Sequence, residues 1–142
     1  MNNEQKNSYV KTQITGALIE LLSEKAMEEI SVSELTEKAQ VGRVSFYRNY
    51  KTKEDILREE SNRLIQEWGR LYEANPESSP ETLFPSLFDF YREHKGFYTI
   101  LYQAGMTAIM QETSVKTLTD WKSEFMMNSL LLTEGSLEVH LR

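Results

Sequence analysis

The stretch that decides the fold is residues 30–57, ISVSELTEKAQVGRVSFYRNYKTKEDIL. It opens with Ser31, whose hydroxyl is placed to accept a hydrogen bond from the Glu34 amide while the Glu34 side chain returns to the Ser31 amide, as in a capping box. The apolar residues that follow have helical spacing, until the tight segment 40–42 interrupts them with a glycine suited to cap the next segment. The sequence therefore predicts a short helix that begins at Ser31 and ends in a tight turn.

A second short helix is predicted from Arg43 to Tyr50. At about 100° per residue, Phe46 and Tyr50 lie on one side of this helix, one turn apart, so we expect them to face inward. Its other sides carry mainly polar and cationic residues, which are Arg43, Val44, Ser45, Tyr47, Arg48 and Asn49. Two short helices joined by a tight turn form a helix-turn-helix unit, whose second helix enters the major groove of DNA.

Longer helices are predicted on both sides of this unit. Tyr9–Glu24 has apolar residues at spacings of three and four, which indicates a helix with one buried stripe, whereas residues 26–30 break the pattern and are predicted as a loop. Thr52 and Asp55 form a second near-capping box, and an apolar stripe continues from there to about Tyr72. We therefore expect a three-helix N-terminal unit followed by a long amphipathic helix.

The second half of the chain is predicted to be helical as well. The segment 75–80, NPESSP, is typical of a linker, and Pro80 suits the first position of a helix. Apolar residues then form a strong face that ends near His94. A further helix is expected over residues 97–103, and residues 106–132 show mixed periodicity.

The composition supports an all-α chain and excludes several kinds of chemistry. The 142 residues include only 6 Gly and 3 Pro, too few for the turns of a β-sandwich or barrel. The absence of Cys excludes disulfides and thiolate sites, and the two histidines, His94 and His140, are too far apart to suggest a metal centre. Because a Gly-rich phosphate loop and an HExxH helix are also absent, we predict no enzymatic activity, no cofactor and no metal. The chain lacks a run of apolar residues long enough to span a membrane, and its polar N-terminus does not resemble a signal peptide, so we expect a cytoplasmic protein without membrane contact.

The charge is unevenly distributed along the chain. The formal net charge is −6, yet residues 1–53 carry +1 and residues 54–142 carry −7. Between Lys38 and Lys53 there are five basic residues and no acidic one, with aromatic residues among them. A cationic surface on an acidic protein is a candidate polyanion site, and any contact with nucleic acid should be confined to the first third of the chain. Charge alone fits a solvated basic face equally well.

Residues 30–57 resemble the N-terminal DNA-binding domain of the TetR family of bacterial transcriptional regulators. The resemblance is carried by the apolar–Ser–apolar start of the first short helix, by Ala39 before the turn, and by the run FY…YKTKE…L between residues 46 and 57. It extends over residues 9–57, and the long helix that follows fits the same family. The resemblance implies an all-α fold, with a three-helix helix-turn-helix domain followed by a helical C-terminal domain.

Two positions depart from the family's pattern. The family usually has Gly where Gln40 stands, and a Ser or Thr cap where Gly42 stands. Gly42 can still cap the helix, but it has no hydroxyl to offer to a phosphate. Farther along, residues 87–101 are similar to the C-terminal domain of TetR-like regulators common in Firmicutes, in which Phe97 and Tyr98 would pack as core.

These observations predict a sequence-specific DNA-binding transcriptional regulator, which by resemblance is a repressor relieved by a small-molecule effector bound in its C-terminal domain. The expected division is a helix-turn-helix domain over residues 1–53 and a helical ligand-sensing and dimerisation domain over residues 54–142. Arginine suits guanine, asparagine suits adenine, and Val44 can contact a thymine methyl group, whereas Ser, Tyr and Lys suit phosphates. The helix from Arg43 to Tyr50, the third helix of the domain, is predicted to read bases. The residues Ser31, Tyr47 and Lys53 are predicted to hold phosphates. The full predicted DNA-binding set is Ser31, Arg43, Val44, Ser45, Tyr47, Arg48, Asn49 and Lys53.

The predicted partner is double-stranded DNA with a near-palindromic operator, bound by a homodimer. Family members normally continue through two long helices that pair across a two-fold axis, and residues 133–142 do not resemble such helices. We therefore expect an incomplete C-terminal domain, whether the chain is a truncated product, a frameshifted one or a shorter family member. Self-association is predicted through the apolar segment around Trp121 and Phe125. The alternative is a helical protein-interaction module without DNA binding, whose acidic C-terminal part binds another protein.

Overall fold

A computed structural model describes residues 2–120 of the chain. Within that range the chain is helical and contains no β-strand, which confirms the all-α fold. The helices are α1 (Asn3–Leu22), α2 (Val32–Ala39), α3 (Arg43–Asn49), α4 (Lys53–Ala74), α5 (Leu83–Glu93), α6 (Lys95–Gln103) and α7 (107–120 as described). Single 3-10 turns occur at Met27–Glu29 and Pro80–Thr82. No helix within the described range is both long enough and apolar enough to cross a membrane.

Helix α1 begins earlier than the predicted Tyr9. The reason is a polar cap, in which the Gln5 amide donates to the Asn2 side chain at 2.8 Å and the Gln5 side chain accepts from the Asn2 amide. The predicted apolar stripe is confirmed, because the residues that α1 buries are Ile14, Ala17, Leu18 and Leu21.

The segment between α1 and α2 is more ordered than the predicted loop. It contains the 3-10 turn, and the side chains of Met27 and Ile30 are buried in the core. Ser31 caps α2 as predicted, because its hydroxyl accepts from the Glu34 amide at 3.0 Å. The Glu34 carboxylate forms an ion pair with Lys25, whereas the predicted capping box would have turned it back to the Ser31 amide.

The predicted start of α4 is confirmed. The Thr52 amide donates to the Asp55 carboxylate at 3.0 Å, and the Asp55 amide donates to the Thr52 hydroxyl at 3.3 Å, which completes a capping box. Helix α4 begins at Lys53, where the sequence predicted the domain boundary, and runs without interruption to Ala74.

Two groups of buried residues form the core. The first joins α1, α2, α3 and the start of α4, and it also receives Leu101 from α6 and Ile109 from α7. The second joins the later part of α4 to α5 and consists of Leu64, Ile65, Trp68, Tyr72, Leu87 and Phe90. Phe97 and Tyr98 pack against both groups, as expected of core residues. The helix-turn-helix unit therefore shares a core with the helices that follow it.

Helices α5 and α6 meet at His94, which ends the first and caps the second. Helix α6 thus begins at Lys95, slightly before the predicted residue 97, and Gly105 follows it with a positive φ of 71°. The predicted self-association segment around Trp121 and Phe125 lies outside the described residues, as do residues 133–142.

Candidate nucleic-acid interface

Helix α3 is anchored by a single fully buried aromatic ring. Phe46 is 0% exposed and lies 5.9 Å from the Tyr50 ring, which is also buried. The Tyr47 ring stands edge-on to Phe46 with a centroid distance of 5.0 Å. The prediction that Phe46 and Tyr50 face inward is confirmed, and it fixes which face of α3 is turned to solvent.

The turn between α2 and α3 requires a left-handed residue. Gln40 ends α2 with φ 57° and ψ 42°, and the Val41 amide then donates back to the Thr36 carbonyl at 3.0 Å. This geometry favours glycine, since side chains with a Cβ are disfavoured in the left-handed region. The departure at Gln40 therefore leaves the turn intact at a cost in conformational energy.

The outward face of α3 consists of four predicted DNA-binding residues. Val44 is 74% exposed and Tyr47 is 54% exposed. Arg43 and Arg48 are exposed as well. Residues 43 and 47, and residues 44 and 48, lie one turn apart, so the four side chains share one continuous surface. We call these four residues the α3 face.

The charges of this surface are not neutralised by neighbouring carboxylates. On α2 and in the preceding loop, Lys38 pairs with Glu20 at 3.3 Å and Lys25 pairs with Glu34. Arg43, Arg48 and the exposed Lys51 have no ion-pair partner among residues 2–120. The α3 face is therefore a site of positive potential on an acidic protein.

Ser45 and Asn49 occupy a less accessible side of α3. Both are half-buried, and the Asn49 amide nitrogen donates to the Ser45 carbonyl at 2.7 Å. This bond uses one of the two amide hydrogens of Asn49, and its oxygen and second hydrogen are the atoms that adenine recognition needs. Base recognition by Asn49 stays a prediction.

Two predicted phosphate ligands already make backbone hydrogen bonds. The Ser31 hydroxyl caps α2, and the Lys53 ammonium donates to the carbonyls of Met27 and Ile30 at 2.8 and 2.5 Å. The sequence contained no signal for the Lys53 contacts, because both acceptors are main-chain atoms far away in the chain. Lys51 lies in the same basic window and is exposed, but the predicted DNA-binding set does not contain it.

Two ionisable groups, one at the end of α3 and one at the start of α4, have shifted pKa values. Burial, together with the nearby Glu59 carboxylate, raises the pKa of Tyr50 to about 12, so its phenol stays neutral at physiological pH. Partial burial would raise the pKa of Asp55, but hydrogen bonds from Thr52 and the charge of Arg58 outweigh it and lower that pKa. The Asp55 carboxylate, which completes the capping box of α4, therefore stays ionised near neutral pH.

Comparison with known proteins identifies the segment that carries this site. Residues 14–59 match the family described as bacterial regulatory proteins, tetR family. Residues 14–59 form a TetR-family helix-turn-helix domain. The matched TetR-family segment thus contains α2, α3, the turn between them and the start of α4. No curated protein and no solved structure matches the chain, and the similarity expected for residues 87–101 stays a prediction.

Proposed function

We propose that the chain is a sequence-specific transcriptional regulator in which α3 reads base edges in the major groove. The observation that carries this proposal is the α3 face, which presents two arginines without carboxylate partners in the described range, beside one apolar and one aromatic side chain. An arginine of this kind can donate two parallel hydrogen bonds to guanine O6 and N7. Val44 is suited to a thymine methyl group, and Tyr47 to a phosphate at the edge of the groove.

The partner we propose is a near-palindromic DNA operator, bound by a homodimer in the cytoplasm. One recognition helix of seven residues buries too little surface for nanomolar specificity, whereas two copies related by a two-fold axis read two half-sites at once. The surface through which two copies associate is proposed to lie around Trp121 and Phe125.

The regulatory part of the proposal is repression relieved by a small-molecule effector. Beyond residue 75, α5 and α6 form an open groove of about 330 Å³ lined by Tyr91, Arg92, Lys95, Tyr98, Thr99 and Tyr102. Its size lies at the lower end of the range for small-molecule sites, and its tyrosines, together with Lys95, which makes no ion pair among residues 2–120, suit a small aromatic anion.

Packing through α1 offers a route from this region to the DNA-binding helices. Leu101 of α6 and Ile109 of α7 are buried in the same core group as Phe46, and α6 packs against α1, which in turn packs against α2 and α3. An effector that binds one arrangement of these helices better than another would shift the population of DNA-binding dimers.

The test is selection of bound duplexes from random DNA with the full chain. We expect enrichment of a near-palindrome whose half-sites are about one helical turn, or a multiple of it, apart. The same selection with Arg48→Ala should lose preference at one position of each half-site, whereas Arg92→Ala, which removes an arginine far along the chain, should select the same sequence. Failure to enrich any sequence at low salt would overturn the proposal and favour the protein-interaction alternative.

A further inference from the structure

Lys53 stands at the first position of α4, and its ammonium reaches back to the backbone in front of α2. Its Nζ donates to the carbonyl oxygen of Met27 at 2.8 Å and to that of Ile30 at 2.5 Å. These acceptors precede Lys53 by 26 and 23 residues. We call this set of contacts the Lys53 bridge. It joins the segment through which the chain enters the helix-turn-helix unit to the segment through which it leaves.

The acceptors of the Lys53 bridge are held in place by their own side chains. Met27 is 3% exposed and Ile30 is 1% exposed, and both belong to the first core group. The Met27 carbonyl also accepts from the Ile30 amide at 3.1 Å, which closes the 3-10 turn. Hydrogen bonds from an ammonium to such carbonyls are charge-assisted and therefore stronger than neutral ones.

The position of the Lys53 bridge explains what it controls. Ile30 directly precedes Ser31, the N-cap of α2, and Lys53 directly follows Thr52, the N-cap of α4. Both helices of the helix-turn-helix unit lie between the two bonded points. The bridge therefore fixes the direction in which α4 leaves relative to the helices that would meet DNA.

We propose that Lys53 is a positioning residue for DNA binding and not a phosphate ligand. An ammonium has three donors, and carbonyls of the protein use two of them, so the bridge turns Nζ toward the backbone in front of α2 and leaves one donor for any other acceptor. Lys51 is exposed and makes no ion pair among residues 2–120, so its charge is free to contact a phosphate. This inference rests on the proposed DNA-binding function.

The matched pair of variants that tests this inference is Lys53→Met and Lys51→Met. Affinity for the operator duplex recovered by selection is measured between about 50 and 200 mM salt, where each lost phosphate contact makes the negative slope of log K against log salt shallower by about 0.9. We expect Lys51→Met to make the slope shallower by that amount. Lys53→Met should leave the slope unchanged and weaken binding about tenfold at every salt concentration, because charge-assisted hydrogen bonds that orient α3 are lost.

A slope that becomes shallower by about 0.9 in Lys53→Met would overturn the inference, since it would identify a phosphate contact of Lys53. Unchanged affinity in Lys53→Met would overturn it as well. If Lys53→Met does not fold, Lys53→Gln, which is neutral but can donate to one carbonyl, is measured in its place with the same expectation for the slope.

A second readout needs no DNA and so separates this inference from the proposed function. Amide hydrogen exchange is compared at residues 27–31 in the full-length protein, in Lys53→Met and in Lys51→Met. We expect about tenfold faster exchange in Lys53→Met alone, because the 3-10 turn loses its bonded ammonium. Unchanged exchange would overturn the bridge even if the protein binds DNA, whereas faster exchange with no operator selected would leave the bridge intact and refute the proposed function.

Discussion

Helices α3 and α5 both carry aromatic residues, yet they expose opposite kinds of surface. In α3 the Phe46 ring is fully buried and the outward side carries arginines. In α5 the rings of Phe84 and Phe88 are 56% and 58% exposed, and Arg92 is paired with Asp89. The exposed surface of α3 is cationic and suits a polyanion, whereas the exposed rings of Phe84 and Phe88 make that of α5 apolar.

The strongest test of this comparison is the removal of one aromatic ring from each helix. Phe46→Ala should lower the free energy of unfolding by about 3–5 kcal/mol, since it leaves a cavity in the first core group. Phe88→Ala removes a ring that is more than half exposed and should cost less than about 1 kcal/mol. Urea denaturation of both variants measures the difference. Equal losses would mean that α3 is rotated from its described orientation.

A second contrast concerns the buried contact between α4 and α7. The Thr113 hydroxyl lies 2.9 Å from the Ile109 carbonyl and 2.8 Å from the Ser61 hydroxyl; because Thr113 has one hydrogen to donate and the carbonyl can only accept, we expect Ser61 to be the donor in the Ser61–Thr113 pair. Thr113→Val leaves the Ser61 hydroxyl buried without its acceptor and should cost about 1–3 kcal/mol.

The matched control is Ser61→Ala, which leaves the Thr113 hydroxyl still bonded to Ile109 and should cost less than Thr113→Val. Both free energies come from the same denaturation experiment. A larger loss in Ser61→Ala would show that the donor and acceptor roles are reversed.

The arginines of the two helices provide the next comparison. Arg48→Ala should cost about 1–3 kcal/mol of binding free energy at one base position and leave the other positions unchanged, as expected for a bidentate contact. Arg92→Ala should not alter the preference. Competition between the operator and single-base variants of it measures both effects. A uniform loss at all positions would indicate that Arg48 contacts phosphate.

The smallest expected effect is at the turn. Gln40→Gly should raise the free energy of unfolding by about 0.5–1 kcal/mol, because glycine adopts a φ of 57° without a steric penalty. Gln40→Ala retains the Cβ and should give no such gain. If Gln40→Ala raised the free energy of unfolding as much as Gln40→Gly, relief of the left-handed backbone would not be the cause of the stabilisation.

Local signals in the sequence predicted most of the N-terminal fold. The stripe from Ile14 to Leu21, the cap at Ser31 and the capping box of Thr52 with Asp55 depend on neighbours within one or two turns, so a linear pattern contains them. The start of α1 was missed because its cap consists of polar residues outside the apolar stripe.

Long-range contacts could not be predicted in this way. The carbonyl partners of Lys53 and the pairing of Glu34 with Lys25 depend on how distant segments meet, and neither residue type nor spacing specifies that. The basic window contains Arg43, Arg48 and Lys51, which make no ion pair among residues 2–120. The burial of Phe46 determines which of these cations face solvent, and the exposure of Lys51 is evident only from the structure.

Recognition of DNA by the α3 face can be measured with two duplexes of equal length, the selected operator and a scrambled sequence, across about 50–200 mM salt. We predict that log K falls linearly with log salt for both, and that the operator binds at least about 10³-fold more tightly at physiological salt. Equal affinity for the two duplexes, or binding that does not respond to salt, would refute recognition of DNA by the α3 face.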